Sequence, residues 1–150
     1  SYSVTGVQTC ALPISCGKGG FHWIWINDDN RWTWKHVYDA EKLMKEAARA
    51  LAGRRDEPLA SLLKLLAREL VLLESSDWQF LISTWAARDY AEMRFSNHFS
   101  DFMKVHEILQ KAVAGEPLTE ADTTLVAVIS ERDSMFPDIN PSWWADVEFP

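Results

Sequence analysis

The most constraining feature of the sequence is a leucine-rich stretch, DEPLASLLKLLARELVLLESS, whose apolar residues recur every three or four positions. This spacing lines the leucines along one side of an α-helix and does not match the two-residue alternation of a half-buried strand. Apolar residues on the other side as well predict that this helix is the most deeply buried one. The main stripe consists of Leu59, Leu62, Leu63, Leu66, Leu70 and Leu73, and Leu65, Val71 and Leu72 extend it.

Three further segments before residue 114 carry helical patterns. One runs from Trp32 to a stop at Gly53, and SSDWQFLIST reads as a brief helix because Ser75, Ser76 and Asp77 are all good N-cap residues. A long amphipathic helix is predicted from about residue 86 to residue 113, with Gly115 ending it. Its apolar side is expected to carry Tyr90, Met93, Phe95, Phe99, Phe102, Met103 and Leu109.

The last helix begins at Thr119, which stands in capping-box spacing with Asp122, and is predicted to run to about Met135. The proline-punctuated end, residues 140–150, is expected to be an extended tail packed on the surface. The fold class that follows is all-α: a helical bundle of about four to five helices preceded by an aromatic-rich loop.

Composition narrows the classes of partner. The chain has 150 residues, enough to bury one core, and a net charge of −7, which disfavours nucleic acid and anionic membrane surfaces. Its apolar runs are too short to span a bilayer. The two cysteines, Cys10 and Cys16, lack further metal ligands nearby, so no metal or other cofactor is predicted and a reducing cytoplasm is the expected compartment.

Tryptophan is concentrated in one place. Trp23, Trp25, Trp32 and Trp34 are four of the chain's eight tryptophans and flank an Asn-Asp-Asp-Asn turn. Trp23 and Trp25 alternate as in a strand or extended loop, whereas Trp32 and Trp34 diverge around a helix start. One ring of each pair is expected to pack inward while the other faces a cleft, where an indole face suits the apolar face of a pyranose.

No catalytic constellation is found in the sequence. GKGG lacks the spacing of a phosphate-binding loop, and no nucleophile elbow or paired-carboxylate site can be picked out. The histidines are expected to be structural or on the surface, His22 being the first exception to consider because it borders the tryptophans. The four are His22, His36, His98 and His106.

Three segments together resemble the C-terminal helical domain of family 57 glycoside hydrolases, most of all the 1,4-α-glucan branching enzymes and their amylase-like relatives. They are GGFHWIWINDDNRWTWKHVYDAEKLM, LARELVLLESSDWQFLISTWAARDYAEMRFSNHFSDF and ERDSMFPDI. The resemblance implies an upstream incomplete barrel with a Glu nucleophile and an Asp acid/base, acting with retention. It further implies that Trp25, Trp34, Asp77 and Trp78 bind an α-1,4-glucan, by matching the family's loop tryptophans and its S-D-W motif.

Other positions depart from the family or are assigned differently. Trp23 and Trp32 are expected to serve packing. Gln79 stands where many relatives carry Pro, and Trp85 where they carry Gly, so that Trp85 is expected either to narrow the cleft or to fill core.

The first fifteen residues, SYSVTGVQTCALPIS, resemble translated sequencing-adaptor read-through of the kind found in metagenomic assemblies. Residues 1–16 are accordingly set apart as an artefact or disordered segment, residues 17–139 as the helical domain and residues 140–150 as the tail. Next to this junction the chain reads SCGKGG where the family has SWGEGG, with Cys16 and Lys18 in place of Trp and Glu.

Two functions remain open from the sequence. In the first, the chain is the C-terminal part of a branching enzyme, inactive alone, that packs on the upstream barrel and lends aromatic residues to the glucan cleft. In the second, it is a stand-alone helical binding module whose aromatic loop docks a protein partner. The sequence does not separate branching from hydrolysis or disproportionation.

Overall fold

The computed structural model describes residues 22–146, so the expectations for Cys10, Cys16 and Lys18 lie outside the described part of the chain. Over these residues the fold is entirely helical and contains no strand, which confirms the prediction of an all-α bundle. None of its helices combines the length and the apolar character needed to cross a membrane. The helices are α1 (Arg31–Ala50), α2 (Leu59–Leu73), α3 (Asp77–Thr84), α4 (Arg88–Val113) and α5 (Glu120–Arg132), followed by a 3-10 turn, Pro141–Trp144.

Helix α2 forms the centre of the bundle, as its leucine spacing predicts. It packs most extensively on α4, while α1 lies against both helices and α3 lies against α4. Leu66, Leu70 and Leu73 of α2 are fully enclosed, and so are Phe95 and Phe102 of α4. Burial of each such side chain stabilises the fold by roughly 1.5–3 kcal/mol, so the contact between α2 and α4 is the main source of stability.

Helix ends follow the predicted chemistry at two places. Gly115 has a φ of 74° after α4, and its N–H bonds to the carbonyl of Ala112 while Glu116 bonds to Lys111, a Schellman motif. At the start of α5, Thr119 and Asp122 exchange side-chain-to-backbone hydrogen bonds of 3.0 and 3.1 Å. The predicted capping box is therefore confirmed.

The expected apolar side of α4 is wrong for three residues. The helix begins at Arg88, two residues later than predicted, and Tyr90, Met93 and Met103 are exposed. The buried stripe instead passes through polar positions that a purely apolar pattern overlooks. It contains Ala91, Phe95, His98, Asp101, Phe102, Val105, Ile108 and Leu109.

The chain after α5 is also more folded than expected. Helix α5 ends at Arg132, and the tail is not extended throughout, because Pro141–Trp144 form a 3-10 turn. Asn140 initiates this turn by accepting a hydrogen bond of 3.1 Å from the N–H of Ser142. The turn lies against α1 and α2, and Trp144 packs on the core.

Candidate functional site

The aromatic loop before α1 consists of tight turns. The N–H groups of Trp25 and Ile26 both bond to the carbonyl of His22, and that of Arg31 bonds to the carbonyl of Asn27. The expectation that Trp23 and Trp25 alternate as in a strand or extended loop is therefore wrong. Successive turns, rather than a pleat, separate their two rings.

A network of amides and one hydroxyl fastens this loop to the end of α3. The Ser83 hydroxyl accepts hydrogen bonds from the side chains of Asn27 and Asn30, at 2.7 and 2.9 Å. It donates its own hydrogen to the carbonyl of Ile24, at 2.6 Å. All the hydrogen-bonding capacity of the hydroxyl is used, which fixes the loop relative to α3.

A second chain of hydrogen bonds joins the loop to α1 and to the first turns of α3. Thr33, which is fully buried, donates to the carbonyl of Asn30 at 2.7 Å and accepts from the Gln79 side chain at 3.1 Å. Buried polar groups are stabilising only when they are paired, and these are paired. No sequence pattern predicted this network, whose only visible sign in the sequence was the polar Asn-Asp-Asp-Asn turn.

A pocket of about 320 Å³ opens where the loop meets α1, the end of α2 and α3. Trp25 from the loop and Trp34 from α1 form its aromatic walls. The Trp34 indole nitrogen donates to the carbonyl of Trp25 at 2.7 Å, so one wall holds the other. Tyr38 and Phe80 lie 6.0 Å from Trp34 and Trp25 respectively, between ring centroids, and support the outer edges.

The remaining lining supplies polar groups. Glu41 of α1, Glu74 just after α2, and Ser76 and Gln79 around the start of α3 all line the pocket, with Val37 at its apolar side. Loss of hydration raises the pKa of Glu41. Loss of hydration and the neighbouring Glu41 carboxylate raise the pKa of Glu74 to about 7. An aromatic-walled pocket with a few convergent polar groups and displaced pKa values has the character of a small-molecule binding site.

The other predicted binding residues do not line this pocket. Asp77 is exposed at the first turn of α3, next to Ser76. Trp78 turns away and packs on the core, where its indole nitrogen donates to the carbonyl of Leu72 at 2.9 Å and its ring stacks 6.1 Å from His98. Of the four residues predicted to bind glucan, the structure brings Trp25 and Trp34 together and leaves Asp77 and Trp78 outside the pocket.

The two tryptophans assigned to packing differ from each other. Trp32 packs edge-on against Phe95, with ring centroids 5.2 Å apart, as expected. Trp23 is 44% exposed and is not part of the core of residues 22–146. One ring of the pair Trp32 and Trp34 packs inward and the other lines the pocket, as expected. In the pair Trp23 and Trp25, by contrast, neither ring belongs to the core of residues 22–146.

Trp85 neither narrows the pocket nor fills core. It ends α3 in the left-handed conformation, with a φ of 59°, and is 66% exposed. The Arg88 guanidinium lies 4.3 Å from the centre of its ring, and Arg88 also bonds to Asp29 and Glu92. A left-handed residue at a helix end is ordinarily Gly, which accounts for the glycine expected at this position in the family.

A buried ionic cluster joins α2, α4 and the end of α5. His98 Nδ1 is 3.0 Å from Glu69 Oε2 and 4.0 Å from Asp133 Oδ2, and all three side chains are buried. Burial, and then the charge of Asp133, raise the pKa of Glu69. Burial also acts to raise the pKa of Asp133, but hydrogen bonds from Arg132 and Glu69 outweigh it and leave that pKa below its ordinary value.

Carboxylates and imidazoles bind metal ions, and the candidate ligand atoms of Glu69, His98 and Asp133 all lie within 4.8 Å of one another. The contacts of His98 oppose a metal centre. Its Nε2 lies 3.1 Å from an amino group of Arg94, which is only a donor, so Nε2 must accept and Nδ1 must carry the ring hydrogen. That hydrogen points at Glu69, and no lone pair remains on the nitrogen that faces the carboxylates. The donor set therefore fits a buried hydrogen-bonded network rather than a metal ligand set.

A larger depression of about 640 Å³ is a weaker candidate site. Its lining, from Phe99 to Gln110, belongs entirely to α4. A groove along one helix brings no groups from different elements together, so the pocket of Trp25 and Trp34 remains the candidate functional site.

Comparison with known proteins assigns this all-α bundle, with its aromatic-walled pocket at the entry loop, to a family. A family model described as 1,4-alpha-glucan branching enzyme, C-terminal, matches residues 36–144. The chain belongs to this family.

Individual relatives are several times longer than this chain. It is 39% identical over 122 residues to the 1,4-alpha-glucan branching enzyme TK1436 of Thermococcus kodakarensis, covering 81% of this chain and 18% of that protein. The crystal structure of a GH57-type branching enzyme from Pyrococcus horikoshii matches with a TM-score of 0.83 and 34% identity, over 91% of this chain and 25% of that one. The alpha-amylase AmyC of Thermotoga maritima matches with a TM-score of 0.64 and 25% identity, over 83% and 23%. The chain thus spans about a fifth to a quarter of these relatives.

Proposed function

We propose that the chain acts within an α-glucan branching enzyme, where its pocket holds part of an α-1,4-glucan resembling amylose or glycogen beside a catalytic barrel. The pairing of Trp25 with Trp34 over a polar-lined pocket of about 320 Å³ supports this most directly. The relative from Thermococcus kodakaraensis, which has a TM-score of 0.77 to this chain, was crystallised in complex with glucose and additives. A cytoplasmic location belongs to the same proposal.

The domain is proposed to be inactive alone. The two carboxyl groups of the pocket, Glu41 and Glu74, interact with each other, and each affects the pKa of the other. A retaining glycosidase instead needs its two carboxyl groups about 5 Å apart, with a sugar between them. The role left for this pocket is to position a glucan for chemistry performed elsewhere.

Activity measurements on two forms of the protein test this function. The chain alone, incubated with amylose, should change neither the iodine absorbance nor the number of reducing ends. A chimaera that carries this domain in place of the matching segment of the Thermococcus kodakarensis enzyme should lower iodine absorbance without releasing reducing ends. A chimaera that folds but hydrolyses amylose would argue against branching, and activity of the chain alone would contradict the accessory role.

Exposed apolar residues support the alternative of a protein-docking module. Trp23, Ile26 and Trp85 are 44%, 60% and 66% exposed around the loop end of the bundle. Such a surface favours a protein partner, which includes the barrel itself. Trp23→Ser together with Trp85→Ser should leave maltoheptaose binding unchanged if the pocket alone binds glucan, and should abolish only attachment to a protein.

A further inference from the structure

The acidic residues of the pocket are the feature that neither the family match nor the tryptophans explain. Glu41 lies on α1 and Glu74 lies at the end of α2, yet the two side chains meet in one pocket. Two carboxylates brought together from different helices repel each other, which costs stability even though Glu41 is only half-buried and Glu74 is exposed at the rim of the pocket. Over residues 22–146, no salt bridge joins Glu41 or Glu74 to a basic side chain.

The position of the pair relative to the indoles suits a sugar. Trp25 and Trp34 supply the apolar contact, and Glu41 and Glu74 line the same cavity with Gln79, whose side chain is 3% exposed and held by Thr33. A pyranose is apolar on its faces and carries vicinal hydroxyls around its rim. A carboxyl pair beside an indole face can accept from two neighbouring hydroxyls, and charged acceptors form the stronger hydrogen bonds.

We propose that Glu41 and Glu74 are the hydroxyl-recognising residues of this pocket, binding vicinal hydroxyls of one glucose unit whose apolar face lies on an indole. This inference rests on the proposed function and deepens it. It assigns to two residues a specificity for sugar that the aromatic walls alone would not provide. The raised pKa of Glu74, about 7, adds a donor at neutral pH, since a carboxyl that keeps its proton can also donate to a sugar oxygen.

Binding of maltoheptaose to the full chain, followed by calorimetry or by tryptophan fluorescence, tests the proposal. Glu41→Ala and Glu74→Ala should each weaken binding by about tenfold, as expected for the loss of hydrogen bonds to a charged group. Glu41→Gln and Glu74→Gln should recover part of the affinity because an amide also bonds hydroxyls. Glu46→Ala, on the exposed side of α1, is the matched control and should bind like the unaltered chain.

A comparison of methyl α-maltoside with its monodeoxy derivatives separates recognition from a structural effect. Removal of the recognised hydroxyl should weaken binding to the unaltered chain, and should make little further difference to the Glu41→Ala or Glu74→Ala variant. Melting curves identify any variant that fails to fold, and the corresponding glutamine variant then provides the measurement.

Distinct outcomes separate the two levels of the hypothesis. If Trp34→Ala abolishes maltoheptaose binding while both alanine variants of the acids bind normally, the recognition proposal is overturned and the glucan pocket stands. If the unaltered chain and every variant fail to bind maltoheptaose, both ideas fail. If Ca²⁺ alone binds the pair and the sugar affinity is indifferent to both acids, the pair is a cation site and the proposal is wrong.

Discussion

The indole nitrogen of Trp34 donates to the backbone carbonyl of Trp25, at 2.7 Å, across the mouth of the candidate pocket. One side chain thus contributes a wall of the pocket and also fixes the turn that carries the opposite wall. The two functions of Trp34 are separable, because a phenyl ring keeps most of the wall and loses the donor.

Trp34→Ala is expected to reduce maltoheptaose affinity by about tenfold or more, equivalent to roughly 1.4 kcal/mol. Trp34→Phe should have an intermediate affinity and faster amide hydrogen exchange at Trp25 and Ile26. Trp143→Ala removes a tryptophan that is 62% exposed on the 3-10 turn and should bind as the unaltered chain does. Equal affinity of all three variants would show that the pocket does not bind glucan.

Ser83→Ala should loosen the aromatic loop. The substitution removes one acceptor shared by Asn27 and Asn30 and one donor to Ile24. Leaving such groups unpaired costs about 1–3 kcal/mol, and chemical denaturation should show that loss. Ser96→Ala, at an exposed position on α4, is the control and should change stability by less than about 0.5 kcal/mol. A loss equal to that of the control would mean that solvent replaces the Ser83 hydroxyl.

Glu69 provides a test of which carboxyl in the buried cluster holds a proton. Because the pKa of Glu69 is raised and that of Asp133 is lowered, we predict that any proton shared by the two carboxyl groups sits on Glu69, which would then accept from His98 and donate to Asp133. Glutamine reproduces that pattern, so Glu69→Gln should change the free energy of unfolding by about 1 kcal/mol or less. Glu69→Ala should cost about 3–5 kcal/mol, because it leaves the partners buried and unpaired. If the glutamine variant is as unstable as the alanine variant, Glu69 is ionised.

The Glu41–Glu74 pair predicts a specific dependence of stability on pH. The pKa of Glu74 rises from its ordinary value of 4.5 to about 7 in the folded chain, so the folded state binds more protons than the unfolded state between these values. Stability from this group is complete below about pH 4.5 and declines as the pH rises towards 7. Glu74→Gln should therefore gain melting temperature over the unaltered chain progressively from pH 5 to pH 7.5. A pH-independent difference would contradict the raised pKa.

Sequence patterns predicted the helices well, since repeated leucines, the Thr119 capping box and Gly115 act locally. They failed for Tyr90, Met93 and Met103, whose exposure depends on how α4 is rotated against α2. That rotation brings His98 and Asp101 inward. His98 then contacts the carboxyl groups of Glu69 and Asp133, and Asp101 accepts a hydrogen bond from Arg132. A local sequence pattern cannot predict contacts between residues that are 29 to 35 positions apart.

The candidate site was predicted in part for a similar reason. The density of tryptophan marked the loop, and helical geometry correctly divided Trp32 from Trp34. Trp78 was assigned to glucan by the S-D-W motif, but the structure places its ring on the core. The acids of the pocket, Glu41 and Glu74, belong to two different helices and became neighbours only through the packing of α1 on α2.

Helix α5 is attached to the bundle by a few apolar contacts, from Leu125, Val126 and Ile129, and by polar contacts at its two ends. Ile129 is its single buried residue, while Lys111 bonds to Asp122 near the start, at 3.3 Å, and Asp133 enters the buried cluster at the finish. A helix held in this way can detach as a unit when its terminal contacts open. Its amides should exchange with solvent well before those of α2, and high salt should hasten their exchange by weakening the Lys111–Asp122 contact. The bundle would then contain two layers that open at different rates. The leucine-packed interior opens only on global unfolding, whereas the outer helix detaches and returns more often.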